Sequence, residues 1–383
     1  MSKTLSQEPQ SRALASMSEI GIFYNTEQHS AATHLALRWN RRVRFIVPRK
    51  AAAQRACCTT FSPGRLELSL RAIASLPRVF GAVSCIEAEP LASIREVITN
   101  EAGLSCCRAG TPGPWSKDTI LFLDKTTLDP LYIVKAGAGE AVNVLLQNEA
   151  QWLRTLRREP SLIDNIPELL THRSCAELSF VVGRPIAGVI DPRFGETHID
   201  FLRKLQEYSE QTMWFAESRV YRNMRARLNN LHGMLSDAWL NRFDRGMRAI
   251  ERALSETPLL VVAAHNDFTQ WNIRRIGGVA KVFDWEYADY EQLPLFDPLH
   301  FFLLPLGLKR ESQARIVRRM LQGLQVCQQQ FDSRWTYKPE IQALAYLINL
   351  CTLYLWSVSG RSESNPVVQS YGLIIDYLCR DKV

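Results

Sequence analysis

The stretch "LLVVAAHNDFTQWNIRRIGGVAKVFDWE", residues 259–286, constrains this chain more tightly than any other. Its opening run, Leu259 to Ala264, is short, branched and continuous, the pattern of a buried strand. A His, an Asp and an Asn follow at once in "HNDFTQWN". Gly277-Gly278 then separates "NIRRI" from "VAKVFD", and paired glycines between two such runs signal a two-residue hairpin. With those glycines at the turn, Ile276 pairs with Val279 and Asn272 falls opposite Phe283. The hairpin thus brings Asp284 beside Asn272 at its open end, with Asp267 just before that end.

Carboxylate and amide oxygens are hard ligands that suit Mg²⁺. A site with few protein ligands leaves room for phosphate oxygens and water, and an acid that is not a ligand is placed to act as general base for a hydroxyl nucleophile. The competing reading makes Asp267 and Asn272 turn formers and Asp284 a strand-end residue.

A second region bears on that choice. From about residue 91 the order reads helix (91–102), strand (104–108), the turn "AGTPGPWS", strand (117–123), a turn at Asp129-Pro130, and the strand "LYIVKA", an antiparallel meander. A long helix starts near Gly139 and ends before Pro160, and the strand "LSFVV" (178–182) stops at Gly183. In that helix Val142, Leu145, Leu146, Trp152, Leu153 and Leu156 form an apolar stripe, and Glu149 lies on it. A carboxylate there needs a cation, since burying an unpaired charge costs several kcal/mol. Lys135, isolated in the apolar strand "YIVKA", supplies one, and such a pair holds an ammonium towards nucleotide phosphates. The alternative is a partly exposed salt bridge without consequence.

In this order the pieces resemble the aminoglycoside phosphotransferase and choline kinase family of the kinase-like superfamily: "RAGTPGPWSKD" as the phosphate-covering turn, Lys135 in "YIVKA", Glu149 in "NEAQWL", "LSFVVGRPIAG" as hinge, "HNDFTQWN" as catalytic loop, and "VFDWE". The resemblance spans roughly residues 91–310 and does not reach 1–90. It implies an α+β, two-lobed protein-kinase-like fold, with a small antiparallel β-rich lobe and a large, mainly helical one. The expected divisions are a basic extension of unknown role at 1–90, an N-lobe with hinge at 91–183, and a C-lobe at 184–383.

The resemblance also implies site roles: Asp267 as catalytic base, Asn272 and Asp284 as Mg²⁺ ligands, and Lys135, oriented by Glu149, on the phosphates of ATP or GTP. Gly110 and Gly113 of the turn, with Val181 and Val182 of the hinge, complete the nucleotide contacts, and His265 has a backbone-bonding role. The implied activity is transfer of a γ-phosphoryl group to a hydroxyl of a small molecule (a sugar, amino sugar or amino alcohol). The alternative is an inactive kinase-like protein that binds nucleotide or a partner. Departures are Asn266, where the family usually has Gly, and a turn that is not G-x-G-x-x-G. "DWE" for D-F-G and the lack of an A-P-E segment argue against a protein kinase. Asp297-Pro298 reads as a helix N-cap with Pro at the first helical position.

Five acids and no Lys or Arg lie from Asp284 to Asp297, which suits a cationic acceptor or a plain solvated loop. Basic charge gathers instead in residues 1–100, with 13 Lys and Arg against 7 Glu. Arg41, Arg42, Arg44, Arg49 and Lys50 flank a strand there and read as a solvated face, without a nucleic-acid-binding signature. Nine scattered cysteines, never spaced C-x-x-C, read as neither disulfide framework nor zinc site and fit a reducing, cytoplasmic setting. The most apolar run, 343–358, falls short of the ~20 residues a membrane span needs and reads as a buried helix.

Overall fold

The computed structural model describes residues 23–25, 34–39, 42–48, 50–61, 80–83, 85–87, 93–110, 115–174, 178–357 and 363–381. The chain divides into two compact units. The first comprises residues 1–157 and 166–190, the second 158–165 and 191–383. The first is organised by an antiparallel sheet and the second mainly by helices, an α+β order of elements.

In the first unit, strands β1 (Phe23–Asn25), β2 (His34–Trp39) and β3 (Arg42–Pro48) precede helix α1 (Ala51–Phe61). Then come β4 (Phe80–Val83), β5 (Cys85–Glu87), β6 (Ala102–Arg108), β7 (Asp118–Asp124), β8 (Pro130–Gly137), helix α2 (Glu140–Leu156), β9 (Leu169–Arg173) and β10 (Ser179–Gly183). Eight strands form one sheet in the order β4-β2-β3-β6-β7-β8-β10-β9, and β1 pairs separately with β5. The expected meander is its centre, and the basic N-terminal region extends the same sheet through β2, β3 and β4.

Both sheet faces are covered, because strand residues alternate sides. Ile46, Cys107, Ile120, Phe122, Val134, Phe180 and Val182 pack on one face with Ile94. Val47, Cys106, Leu121 and Leu123 pack on the other against Ala53 and Cys57 of α1. There Cys57 and Cys106 form a disulfide, with Cα atoms 6.6 Å apart, which corrects the expectation of unpaired cysteines. The pairing was hidden because β3 and β6 adjoin only in the folded sheet, at Phe45–Arg108 and Ile46–Cys107. Of the helix expected at 91–102, the described part is helical only at 93–95, and β6 already begins at Ala102. Residues 65–76, whose sequence reads as a helix, lie outside the described residues.

The second unit contains α3 (Glu196–Ser209), β11 (Gln211–Met213), α4 (Arg219–Leu231), α5 (Asp237–Leu254) and β12 (Leu259–Ala264). The hairpin β13 (Ile273–Ile276) and β14 (Val279–Val282), β15 (Asp289–Gln292), α6 (Phe296–Leu308), α7 (Gln313–Gln330), α8 (Pro339–Ser357) and α9 (Pro366–Asp381) complete it. As anticipated, β12 is buried: it runs between β11 and β15 in a three-stranded sheet. Helix α8 is the expected apolar C-terminal helix, with Leu344, Leu347, Ile348 and Cys351 fully enclosed. No described helix is long and apolar enough to cross a membrane.

Candidate active site

The hairpin has the register read from its glycines. Ile276 pairs with Val279 and Ile273 with Val282, and Phe283 N donates to Asn272 O at 3.1 Å. Gly277 (φ 54°) and Gly278 (φ 86°) both lie in the left-handed region that a two-residue hairpin turn requires. Asn272 and Asp284 are consequently adjacent to the same terminal rung of the hairpin.

The loop between β12 and this hairpin is held by its own side chains. His265 is fully buried, and its Nε2 faces Phe283 O at 3.0 Å while Nδ1 receives the Asp267 N–H at 3.2 Å. With carbonyl oxygen on one side and an amide hydrogen on the other, the ring is the Nε2–H tautomer. This is the backbone-bonding role anticipated for it. Asn266 has φ 61°, a left-handed conformation that favours Gly and that Asn tolerates best among larger residues. Its side chain ties the loop to Tyr287 O at 3.0 Å.

The Asn272 amide donates to Asp267 twice, to the main-chain oxygen at 3.0 Å and to Oδ2 at 2.8 Å. An amide that commits its NH₂ in this way presents its oxygen elsewhere. Asp284 also sits at positive φ (75°), at the start of the turn Trp285–Tyr287. A carboxylate oxygen of Asp284 and one of Glu286 come within 4.8 Å of each other. Tyr287 keeps its phenol proton well past the usual range, through burial first and then the charges of Glu286, Asp284 and Asp267. The charges of the expected acids thus bear on one phenol together with that of Glu286. The hard oxygens of Asn272, Asp284 and Glu286 are a donor set that fits Mg²⁺.

Asp297 is not an N-cap. Leu295 takes that position, and Asp297 and Pro298 are the second and third residues of α6. The buried Asp297 carboxylate instead accepts the His265 N–H on Oδ2 at 2.7 Å and the Asn266 N–H on Oδ1 at 2.9 Å. Burial raises its pKa, and the neighbouring His265 and these two bonds oppose the rise. Periodicity alone gave no sign of this anchor. The acidic segment also changes meaning. Asp289 pairs with Arg219 at 2.8 Å and Glu291 with Arg222 at 3.5 Å. With Asp297 buried in the loop anchor, at least three of the five acids are engaged within the chain, which leaves less negative charge to attract a cationic acceptor.

In the first unit, Lys135 Nζ and Glu149 Oε1 are 2.6 Å apart, with side chains 18% and 5% exposed. Glu149 shares its buried stripe with Val142, Leu146 and Ala150 of α2, which pack on Val181. Val181 is the residue directly across from Lys135, while Val182 faces Val134. The Gly110 N–H donates to Asp118 Oδ1 at 3.0 Å. A Cβ on Gly110 would run into the Lys117 carbonyl oxygen, so glycine is required by a close backbone approach. Burial raises the Asp118 pKa to about 6, partly offset by that Gly110 bond. Gly113 lies outside the described residues.

No protein-family model matches the sequence, and no curated protein does. Among solved structures, the chain is similar to the ADP-bound aminoglycoside phosphotransferase APH(2'')-Ib, at 15% identity over 76% of this chain and 97% of that one, with a TM-score of 0.47. A fructosamine-3-kinase from Thermobifida fusca YX-ER1 is 16% identical over 74% of this chain and 98% of that one, with a TM-score of 0.49. The chain is likewise similar to the aminoglycoside phosphotransferase APH(4)-Ia, at 14% identity over 72% of this chain and 94% of that one, with a TM-score of 0.48.

Proposed function

We propose that the chain transfers the γ-phosphoryl group of ATP or GTP to a hydroxyl of a small molecule, with Asp267 as general base. The observation that carries this reading is the grip of Asn272 on Asp267 at the end of the β13–β14 hairpin. One carboxylate is oriented by an amide that commits its NH₂ to it, and the hairpin brings Asp284 to the same end. A merely structural loop does not need that arrangement.

In this reading the acceptor oxygen forms a bond to the γ-phosphorus as the bond to the β–γ bridging oxygen breaks, and the nucleoside diphosphate leaves. Asp267 takes the hydroxyl proton. Asn272 and Asp284 would hold Mg²⁺, whose charge, when it is bound, offsets that of the phosphates. Lys135 would neutralise phosphate charge from the strand side, its ammonium kept in place by Glu149. Gly110, Gly113, Val181 and Val182 are the proposed backbone contacts to the nucleotide. The acceptor class is a sugar, amino sugar or amino alcohol.

The test is phosphate transfer from ATP or GTP, with and without Mg²⁺, across a panel of those three acceptor classes. Mg²⁺-dependent labelling of at least one acceptor is expected. Thermal stabilisation by MgATP without transfer to any acceptor or to water would contradict the reading and favour a nucleotide-binding protein.

A further inference from the structure

The Asp267 carboxylate has a donor on its other oxygen. His300, from α6, is 3% exposed, and its Nε2 lies 3.1 Å from Asp267 Oδ1. Its Nδ1 lies 3.2 Å from the hydroxyl of Tyr346 on α8. A carboxylate only accepts, so the ring nitrogen facing it carries the hydrogen in either charge state of the imidazole. Tyr346 is buried and keeps its proton far above the ordinary phenol range, chiefly through that burial. With two helices fixing the ring from behind, its orientation towards Asp267 is set by the fold.

We propose that His300, backed by Tyr346, is a positioning residue that fixes the Asp267 carboxylate through an Nε2–H···Oδ1 bond. The inference rests on the reading of Asp267 as base. Oδ1 is then tied to His300 and Oδ2 to Asn272, so rotation about the Cβ–Cγ bond is blocked from both sides. The Asp267 side chain still keeps 24% of its surface open, which leaves an edge for an incoming hydroxyl. A base has to stand within hydrogen-bond reach of the proton it removes, and a displacement of about 1 Å can cost on the order of 100-fold in rate.

The test uses the full chain with MgATP alone, water serving as acceptor, and compares wild type with His300→Phe, His300→Gln and Tyr346→Phe. His300→Phe is expected to lower kcat by about 10- to 100-fold, with KM for MgATP within about twofold. Gln can offer an N–H near the position of Nε2, so His300→Gln should recover most of the loss, and Tyr346→Phe should fall between. Equal losses in the Phe and Gln variants, or a rise of KM in step with the fall of kcat, would overturn the inference. A second measurement is independent of turnover: the His300 ring N–H resonance, assigned by its absence in His300→Gln. It should sit downfield in wild type and move in Asp267→Asn, and a resonance indifferent to that change would also overturn the inference. Failure of the base reading looks different, namely a wild-type chain that neither hydrolyses ATP nor phosphorylates any acceptor.

Discussion

The buried Asp297 carboxylate accepts the backbone N–H of His265 at 2.7 Å, across 32 residues of sequence. With its second oxygen on the Asn266 N–H, it anchors the loop that carries Asp267 to the start of α6. Leaving a buried N–H without a partner costs about 1–3 kcal/mol. Asp297→Ala is therefore expected to destabilise the chain by about 2–4 kcal/mol and to abolish phosphate transfer. Asp297→Asn keeps an acceptor for one N–H and should be milder. Denaturant melts of both variants measure the difference, and equal stability of Asp297→Ala and wild type would contradict the anchor.

The Lys135–Glu149 pair predicts an asymmetry. Glu149 is the more enclosed partner, so Lys135→Met leaves a carboxylate inside the apolar stripe of α2 without its counter-charge. Removing one partner of a buried pair costs on the order of 3–5 kcal/mol. The double variant Lys135→Met with Glu149→Leu should regain much of that stability, because apolar replacements of a buried pair are often tolerated. Its affinity for MgATP should stay low. Calorimetry with MgATP and thermal melts together separate the two effects, and a double variant with wild-type affinity would remove Lys135 from phosphate binding.

Asp118 predicts a pH dependence. Burial lifts its folded pKa from the ordinary 3.8 to about 6, so the folded chain holds this proton more tightly than the unfolded one. The stabilisation from protonated Asp118 is thus complete below about pH 4 and is lost as pH rises through about 6. A tenfold difference in proton affinity between the two states is worth about 1.4 kcal/mol, so Asp118→Asn should gain roughly 2–3 kcal/mol over wild type at pH 7. The gain should vanish near pH 4. Stability curves that run parallel from pH 4 to 7 would contradict it.

What the sequence made legible follows from distance along the chain. The hairpin register was readable because Gly277-Gly278 lies at its centre, and the Lys135–Glu149 pair because a carboxylate on an apolar stripe demands a cation. Local periodicity was enough for both. His300 and Asp297 were not readable, since their partners lie about 30 residues away and depend on how the start of α6 meets the loop after β12. Nor was the Cys57–Cys106 bond, or the addition of β2, β3 and β4 to the central sheet. Strand neighbours β3 and β6 are separated by more than fifty residues, and no local pattern specifies such a pairing.

The central claim is that Asp267 removes the proton from the acceptor hydroxyl, and Asp267→Asn tests it most directly, since it keeps the shape of the side chain, removes its basicity and costs one of the two hydrogen bonds it accepts. Transfer of labelled γ-phosphate from ATP to the best acceptor of the panel should fall by about 100-fold or more, within the range expected of a general base. The thermal shift produced by MgATP should persist, because Asn272, Asp284 and Lys135 remain. An Asp267→Asn chain that transfers phosphate at the wild-type rate would contradict the account.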